Sequence, residues 1–310
     1  MSEGGNDTIV VTGANGHIGR QLLTRLASES RSALAVVRSK RAATSLETLP
    51  SEARPETRII DYADASSLEE AMRACRAVVH LVGVIKESRA APFADAHERP
   101  CQALQAAAAA AGLERIIYLS IIGADRNSKN ECLASRARAE DILLGGSVPT
   151  TVIRVAMVMG PGDFATRALR GQATSSIATL IGGGATLQQP IDASDMVQAI
   201  LAALALPEPG NAVLELAGPE CLSHRQLVQR AAELYQSQPT IVPVPLFLMQ
   251  CFAAVISRVS ASPPITPAML GVLQHDDRVD TGPACKRLGI ELTPLDETLR
   301  RYIGPEAEEQ

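Results

Sequence analysis

The sequence contains no tryptophan and only 3% aromatic residues. Its net charge is -5 at pH 7, and no basic run is interleaved with aromatics, so no nucleic-acid partner is expected. Six cysteines, Cys75, Cys101, Cys132, Cys221, Cys251 and Cys285, are scattered without a CxxC pair. That spacing argues against a zinc knot, a redox dithiol or any other metal site, and the thiols are expected to be reduced and mostly buried. No apolar run is long enough to span a bilayer. The longest uncharged stretch, Thr240–Ser257, starts among Pro239, Pro243 and Pro245 and has only Arg258 nearby as a basic anchor. It is expected to form core or a ligand pocket, with peripheral membrane contact as the alternative. The polar, acidic start, residues 1–7, lacks the basic and apolar regions of a signal peptide and reads as a flexible lead-in. A cytoplasmic protein is the resulting expectation.

What is present is sharper. Thr12-Gly13-Ala14-Asn15-Gly16-His17-Ile18-Gly19 follows the apolar run Ile9-Val10-Val11 and opens an amphipathic stretch carrying Leu22, Leu23 and Leu26. Gly13 permits a sharp turn, Gly16 removes a side chain where a phosphate would approach, and Gly19 lets the helix pack close to its strand. The helix start then offers unpaired N–H groups and a positive dipole end to an anion. Strand, glycine loop and helix together point to a dinucleotide pyrophosphate site.

Val- and Ile-rich runs at 9–12, 33–37, 58–60, 77–82, 116–119 and 151–158 alternate with helical patterns. Several are apolar at consecutive positions, as strands covered on both faces are. This predicts an α/β chain with a doubly wound parallel sheet of the Rossmann kind over residues 7–161, and a smaller α/β lobe over 162–310. Gly182-Gly183-Gly184 reads as a flexible loop, and helices are expected at 195–206 and 223–235. The first of these is expected to pack back on the sheet.

About twenty residues beyond the glycines, the second strand ends where the adenosine ribose is read. Here the chain reads Val36-Val37-Arg38-Ser39-Lys40-Arg41. No carboxylate is available for a free 2′-hydroxyl, while the cations suit a 2′-phosphate. NADP(H) is therefore expected over NAD(H), with Arg38 as the phosphate ligand. Asp61, after the third strand, is placed either to accept from the adenine amino group or to cap the next helix.

The Thr-Gly-x-x-Gly-x-x-Gly spacing, Asp61-x-x-Asp64, Val79-His80-Leu81-Val82-Gly83, Tyr118-Leu119-Ser120 and Ile153-Arg154 through Gly160-Pro161-Gly162-Asp163 resemble the extended and atypical branch of the short-chain dehydrogenase/reductase superfamily. Later segments, including Gln189-Pro190-Ile191 with Asp195 and Leu216-Ala-Gly-Pro219, are similar to the nucleotide-binding accessory subunit family of respiratory complex I and its bacterial relatives. The resemblance implies dinucleotide contacts at Gly13, Asn15, Gly16, His17, Ile18, Gly19, Leu81, Val82 and Gly83. It also implies a catalytic serine at Ser120, with a tyrosine and a lysine four apart on the next helix. That helix instead reads Asn130-Glu131-Cys132-Leu133-Ala134-Ser135-Arg136, with Cys132 at the tyrosine position and Arg136 at the lysine position. None of the four tyrosines has a lysine four residues later.

A thiol, with an ordinary pKa near 8.5 against roughly 10 for phenol, is acidic enough to give a proton but shorter than tyrosine, so a water would complete the relay. Arg136 retains the donors needed for the ribose hydroxyls. Cys132 is read as a packed helix residue, a thiol acid or a redox-sensing thiol. His80 reads as a core histidine, and His97 has no visible carboxylate partner. The resemblance places Arg154 and Met157 beside the nicotinamide, as substrate contacts. Phe247, Leu248, Met249, Phe252 and Met269 suit an apolar ligand or the core. Two expectations follow: an oxidoreductase acting on an apolar carbonyl or quinone-type molecule, or a non-catalytic dinucleotide-binding assembly or sensor protein with a protein partner.

Overall fold

The computed structural model describes residues 7–87, 91–208, 210–260 and 263–308; the polar lead-in at residues 1–6 lies outside them. Two compact units are formed. Unit 1 takes in the described residues of Met1–Val84, Ala91–Arg154 and Val197–Leu214, and unit 2 those of Ile85–Ala90, Val155–Met196 and Glu215–Gln310.

Unit 1 is built on β1 (Ile9–Thr12), β2 (Ala33–Val37), β3 (Glu56–Ile59), β4 (Ala77–His80), β5 (Arg115–Ile121) and β6 (Thr150–Val155). With the strand Ala212–Leu216 they form a seven-stranded sheet in the order Ala212–Leu216, β6, β5, β4, β1, β2, β3. The pairs β3–β2, β2–β1, β1–β4 and β4–β5 are parallel. β1 and β4 are buried at every position, as expected of central strands covered on both faces. At the edge, β3 exposes Glu56 and Arg58, charges that discourage pairing with another chain.

Strand order reverses at β1, whose neighbours are β2 and β4. In open α/β sheets the crevice beyond the strand ends at such a reversal is where ligands sit. Into it runs α1 (His17–Ser28), which buries Gly19, Leu22, Leu23 and Leu26. The helices α2 (Lys40–Leu46) and α3 (Ala65–Met72) follow β2 and β3, and Asp64 caps α3 by accepting from Ser66 and Ser67 N–H. The alanine-rich helix Glu98–Ala111 ends at Gly112, in the left-handed conformation at φ 72°.

The run 151–158, expected as one strand, divides. β6 ends at Val155, and Val158–Met159 pairs in parallel with Ile191–Asp192 of unit 2, because those backbones supply its partners. The triglycine expected as a flexible loop is a short 3-10 turn whose glycines all have positive φ, from 58° to 75°. At Gly184 a Cβ would meet Arg225 N at 2.9 Å, so glycine is required by space as well as by conformation.

Unit 2 packs the helices Phe164–Thr174, His224–Glu233 and Leu295–Tyr302 around Leu169, Leu227, Val228, Leu295 and Leu299. Gly171, inside the first of these helices, would bring a Cβ within 4 Å of nothing. Gly171→Ala should therefore raise the unfolding free energy by about 0.5–1 kcal/mol, read as an upward shift of the thermal midpoint.

The uncharged stretch corrects an expectation. It forms the strand Thr240–Val244, paired in parallel with Ile177–Ile181, and then the helix Leu246–Val259, of which only Ala253 is buried. Leu248, Phe252, Val255 and Val259 repeat at helical spacing along one exposed face, so this helix neither fills a core nor lines a described cavity. Nor are the cysteines mostly buried: Cys101 and Cys132 are, whereas Cys75, Cys221 and Cys285 are partly exposed and Cys251 is exposed on that same helix. Among the described residues no helix is long and apolar enough to cross a membrane.

Candidate functional site

Unit 1 carries a cleft of about 610 Å³ at the sheet reversal. Its wall brings together Gly13, Asn15, Gly16, Arg38, Asp61, Leu81, Val82 and Gly83, which sequence reasoning selected, with Arg41 from the same basic run, and adds Ser39, Ser45 and Tyr62. His17, Ile18 and Gly19 lie in the first turns of α1, outside the lining itself.

The glycine loop is held from both sides. Gly13, at φ 70°, donates its N–H to Val36 O at 3.2 Å and lies 3.2 Å from Tyr62 Oη, which in turn donates to Val36 O at 3.4 Å. A Cβ on Gly13 would press on the Leu81 and Val82 backbone at 3.1–3.2 Å, and one on Gly19 would approach Ala14 backbone at 2.6–2.8 Å. Gly16 caps α1 without a side-chain hydrogen bond, and the first turn has no acidic residue. The N–H groups at this helix start thus face the loop without a competing carboxylate, which is what a pyrophosphate requires.

At the far end of the cleft Arg38 and Arg41 supply the cations, and Ser39 caps α2 by accepting from Ala42 N–H. Asp61 lines the cleft and accepts only a local turn bond from Ala63 N–H at 3.0 Å. The helix-capping alternative falls to Asp64, leaving Asp61 facing the cleft.

Behind Gly83 lies a buried polar cluster. Arg136, 6% exposed, donates to Tyr118 Oη and to Leu119 O, each at 3.1 Å. A Cβ at Gly83 would overlap its guanidinium, so the family's loop glycine here makes room for arginine. Cys132 is fully buried, with Sγ 3.6 Å from Val84 O. Ser120 donates to Glu140 Oε1 at 2.5 Å, and Glu140 is clamped by Arg154, whose Nη2 lies 2.7 Å from Oε2. Ser135, on the same helix, donates to Glu98 Oε1 at 2.9 Å. The serine, thiol and guanidinium are thus brought into one neighbourhood but bonded to protein. Arg154 turns to Glu140, and Met157 lines a cavity of unit 2. Phe247, Leu248, Met249, Phe252 and Met269 line neither that cavity nor the cleft.

Sequence reasoning did not select Glu140, and it found no carboxylate partner for His97, whose partner is backbone. His97 Nε2 lies 3.1 Å from Val84 N and 3.0 Å from Val84 O. His80 Nδ1 meets Thr12 Oγ1 at 2.6 Å. Burial, with a smaller push from the Arg136 charge, drives both imidazoles down to about 3. Among the described residues, His80 Nε2, His97 Nδ1 and Arg136 Nε have no hydrogen-bond partner within the protein.

Comparison with known proteins agrees with the cleft. A family described as NAD(P)H-binding matches residues 13–176, more than half of the chain. The mitochondrial NADH dehydrogenase [ubiquinone] 1 alpha subcomplex subunit 9 of Arabidopsis thaliana is 28% identical over 253 residues, which is 79% of this chain but 62% of that protein. The mitochondrial NADH-ubiquinone oxidoreductase 40 kDa subunit of Neurospora crassa is 25% identical over 96% of this chain and 79% of its own length. Among solved structures, MoeE5 in complex with UDP-glucuronic acid and NAD superposes with a TM-score of 0.74 at 21% identity, covering 98% of this chain and all of that one. That likeness shows the fold. The expectation of a cytoplasmic location is overturned by the relatives, which are mitochondrial proteins. A glycine-loop cleft at the reversal of a seven-stranded Rossmann sheet, a family match across it, and kinship with complex I accessory subunits establish that the chain belongs to the NAD(P)H-binding family, as an atypical short-chain dehydrogenase/reductase.

Proposed function

We propose that this protein holds NADP(H) as a bound structural ligand within a protein assembly and does not turn it over by the proton relay usual in its superfamily. The observation that carries the reading is that the side chains at the catalytic positions are bonded to the protein. Ser120 donates to a carboxylate that Arg154 already clamps, and Arg136 is buried on Tyr118 and Leu119. A serine in that state offers no proton to a substrate oxygen, and Cys132 sits under Val84 O. Gly13, Gly16 and the start of α1 would hold the pyrophosphate, and Arg38 with Arg41 the 2′-phosphate. The dinucleotide would supply hydride chemistry when bound. The relatives' membership of complex I supports a protein partner. So does the exposed helix face at Leu248, Phe252, Val255 and Val259, which fits an apolar protein interface better than a bilayer because its helix carries a single basic residue, Arg258, and no Tyr or Trp.

The test is cofactor retention. Protein purified and loaded with NADPH should keep its 340 nm absorbance through hours of incubation with a soluble quinone and with medium-chain ketones. Steady oxidation dependent on the protein would overturn the proposal in favour of an oxidoreductase, and a rate unchanged in Cys132→Ser would remove the thiol as its acid. Cofactor choice is checked by Arg38→Ala, which should weaken NADPH about tenfold through loss of a charge-assisted bond while changing NADH by less than about twofold. Equal losses for both would sink the assignment of Arg38.

A further inference from the structure

Unit 2 has a cavity of about 220 Å³ that the dinucleotide reading does not use. Its floor includes the buried side chains of Leu169, Leu180 and Leu227, and no Asp, Glu, Lys or Arg lines it. At one end stands His224, whose Nδ1 lies 2.8 Å from Gln188 Oε1 and whose Nε2 lies 3.1 Å from Gln172 Oε1. Burial lowers the pKa of this imidazole, so it is neutral and has one N–H to give. One glutamine oxygen can take that proton. The other amide must turn its NH2 toward the ring, which leaves its carbonyl edge for another donor. At the rim, Phe164 and Leu273 are held in water at 65% and 37% exposure. Of the four phenylalanines in the chain only Phe93 is buried, so apolar surface is concentrated on unit 2.

We propose that this cavity binds a neutral amphiphile, a single alkyl chain bearing an uncharged amide, ketone or hydroxyl head. The head meets the His224–Gln172–Gln188 group, and the chain passes along Leu169 and Leu227 and leaves past Phe164 and Leu273. The lining decides the ligand class. A nucleoside diphosphate of the kind bound by MoeE5 needs cations, and no Lys or Arg lines this cavity; of the arginines next in sequence to the lining, Arg170 bonds Tyr302 O, Arg225 bonds Gly183 O and Arg167 is exposed. A fatty-acid carboxylate would bury its charge without a partner. Being smaller than the ~300–1,000 Å³ of drug-sized pockets, the cavity takes a head group and several methylenes rather than a whole cofactor. The site belongs to unit 2 alone and stands or falls independently of the reading of unit 1.

The experiment titrates the whole protein with N-phenyl-1-naphthylamine, an uncharged dye that brightens in apolar surroundings, and then displaces it. N-methyldecanamide should displace the dye at least about tenfold better than decanoate or decylamine at pH 8, and UDP should not displace it. Ala165→Trp, filling the cavity from the half-buried face of helix Phe164–Thr174, should weaken the dye about tenfold or more without moving the thermal transition. Gln172→Leu should leave the dye bound but weaken the amide about tenfold. Phe252→Asp, on the exposed helix, should change neither. Decanoate competing as well as the amide would overturn the ligand class. Dye binding that survives Ala165→Trp, or is lost in Phe252→Asp, would overturn the site.

Discussion

Taking the protein from pH 7 to pH 5 should cost about 2–3 kcal/mol of folding stability, roughly 4 kcal/mol lost through His80 and His97 less about 1 kcal/mol returned by Asp277. Both imidazoles sit at about 3 in the folded state against an ordinary 6.5. Their folded values are depressed, so the stabilisation is full above pH 6.5. As the pH falls below 6.5 the unfolded chain takes up two protons that the folded chain refuses, and stability drops by up to about 1.4 kcal/mol per pH unit for each histidine. The loss levels off near pH 3. The cause is burial first, and then the positive charge of Arg136, with Arg138 adding to the effect on His97. Asp277 of unit 2 works in the opposite direction, since burial raises it to about 6 and its neutral form is favoured as the solution acidifies. One carboxyl cannot offset two imidazoles.

Urea midpoints measured at pH 7, 6 and 5 give the slope directly. His80→Leu should remove more than half of the slope while leaving the protein folded at pH 7. If wild type and variant share one pH slope, the buried imidazoles are not the acid-sensitive groups.

The same residues show how far the sequence could be read. His80 was legible as a core histidine because it ends an apolar strand, and β4 is buried at every position. The glycine loop, the Rossmann sheet and the cation pair at Arg38 and Arg41 were legible because each is local: a strand, a turn and a helix start written within a few residues. Glu140 was not. Its meaning depends on Ser120 from one strand and Arg154 from another, and no periodicity announces a carboxylate that a helix turns inward. Gly83 gives a similar lesson. Sequence reasoning assigned it to the cofactor alone, whereas in the fold it also makes room for Arg136.

The exposed helix Leu246–Val259 misled for a different reason. Apolar composition says that a segment prefers to leave water, but not whether its own chain provides the cover. The pattern at Leu248, Phe252, Val255 and Val259 is that of a buried face, yet only Ala253 is buried.

Gly19→Ala should cost at least about 100-fold in NADPH affinity, although residue 19 does not line the cleft. A Cβ there would come within 2.6–2.8 Å of the Ala14 oxygen, carbonyl carbon and Cα. These are backbone atoms held between β1 and the loop, with no flexible side chain to give way. Relief requires α1 to move off the strand, and the N–H groups at its start move with it. Losing two charge-assisted bonds to a pyrophosphate, at about 1.5 kcal/mol each, amounts to more than 100-fold. Gly16 makes the comparison informative, because its nearest neighbour would be Gly13 O at 3.2 Å, a contact that a shift of a few tenths of an ångström relieves. Gly16→Ala should therefore leave the helix in place, and any loss it causes must come from a methyl group set against the ligand. Titrations followed by the cofactor's own fluorescence, which no tryptophan in this chain obscures, separate the two. If Gly19→Ala binds like wild type, helix placement does not set the affinity, and the anion is held by the loop and Arg38 alone.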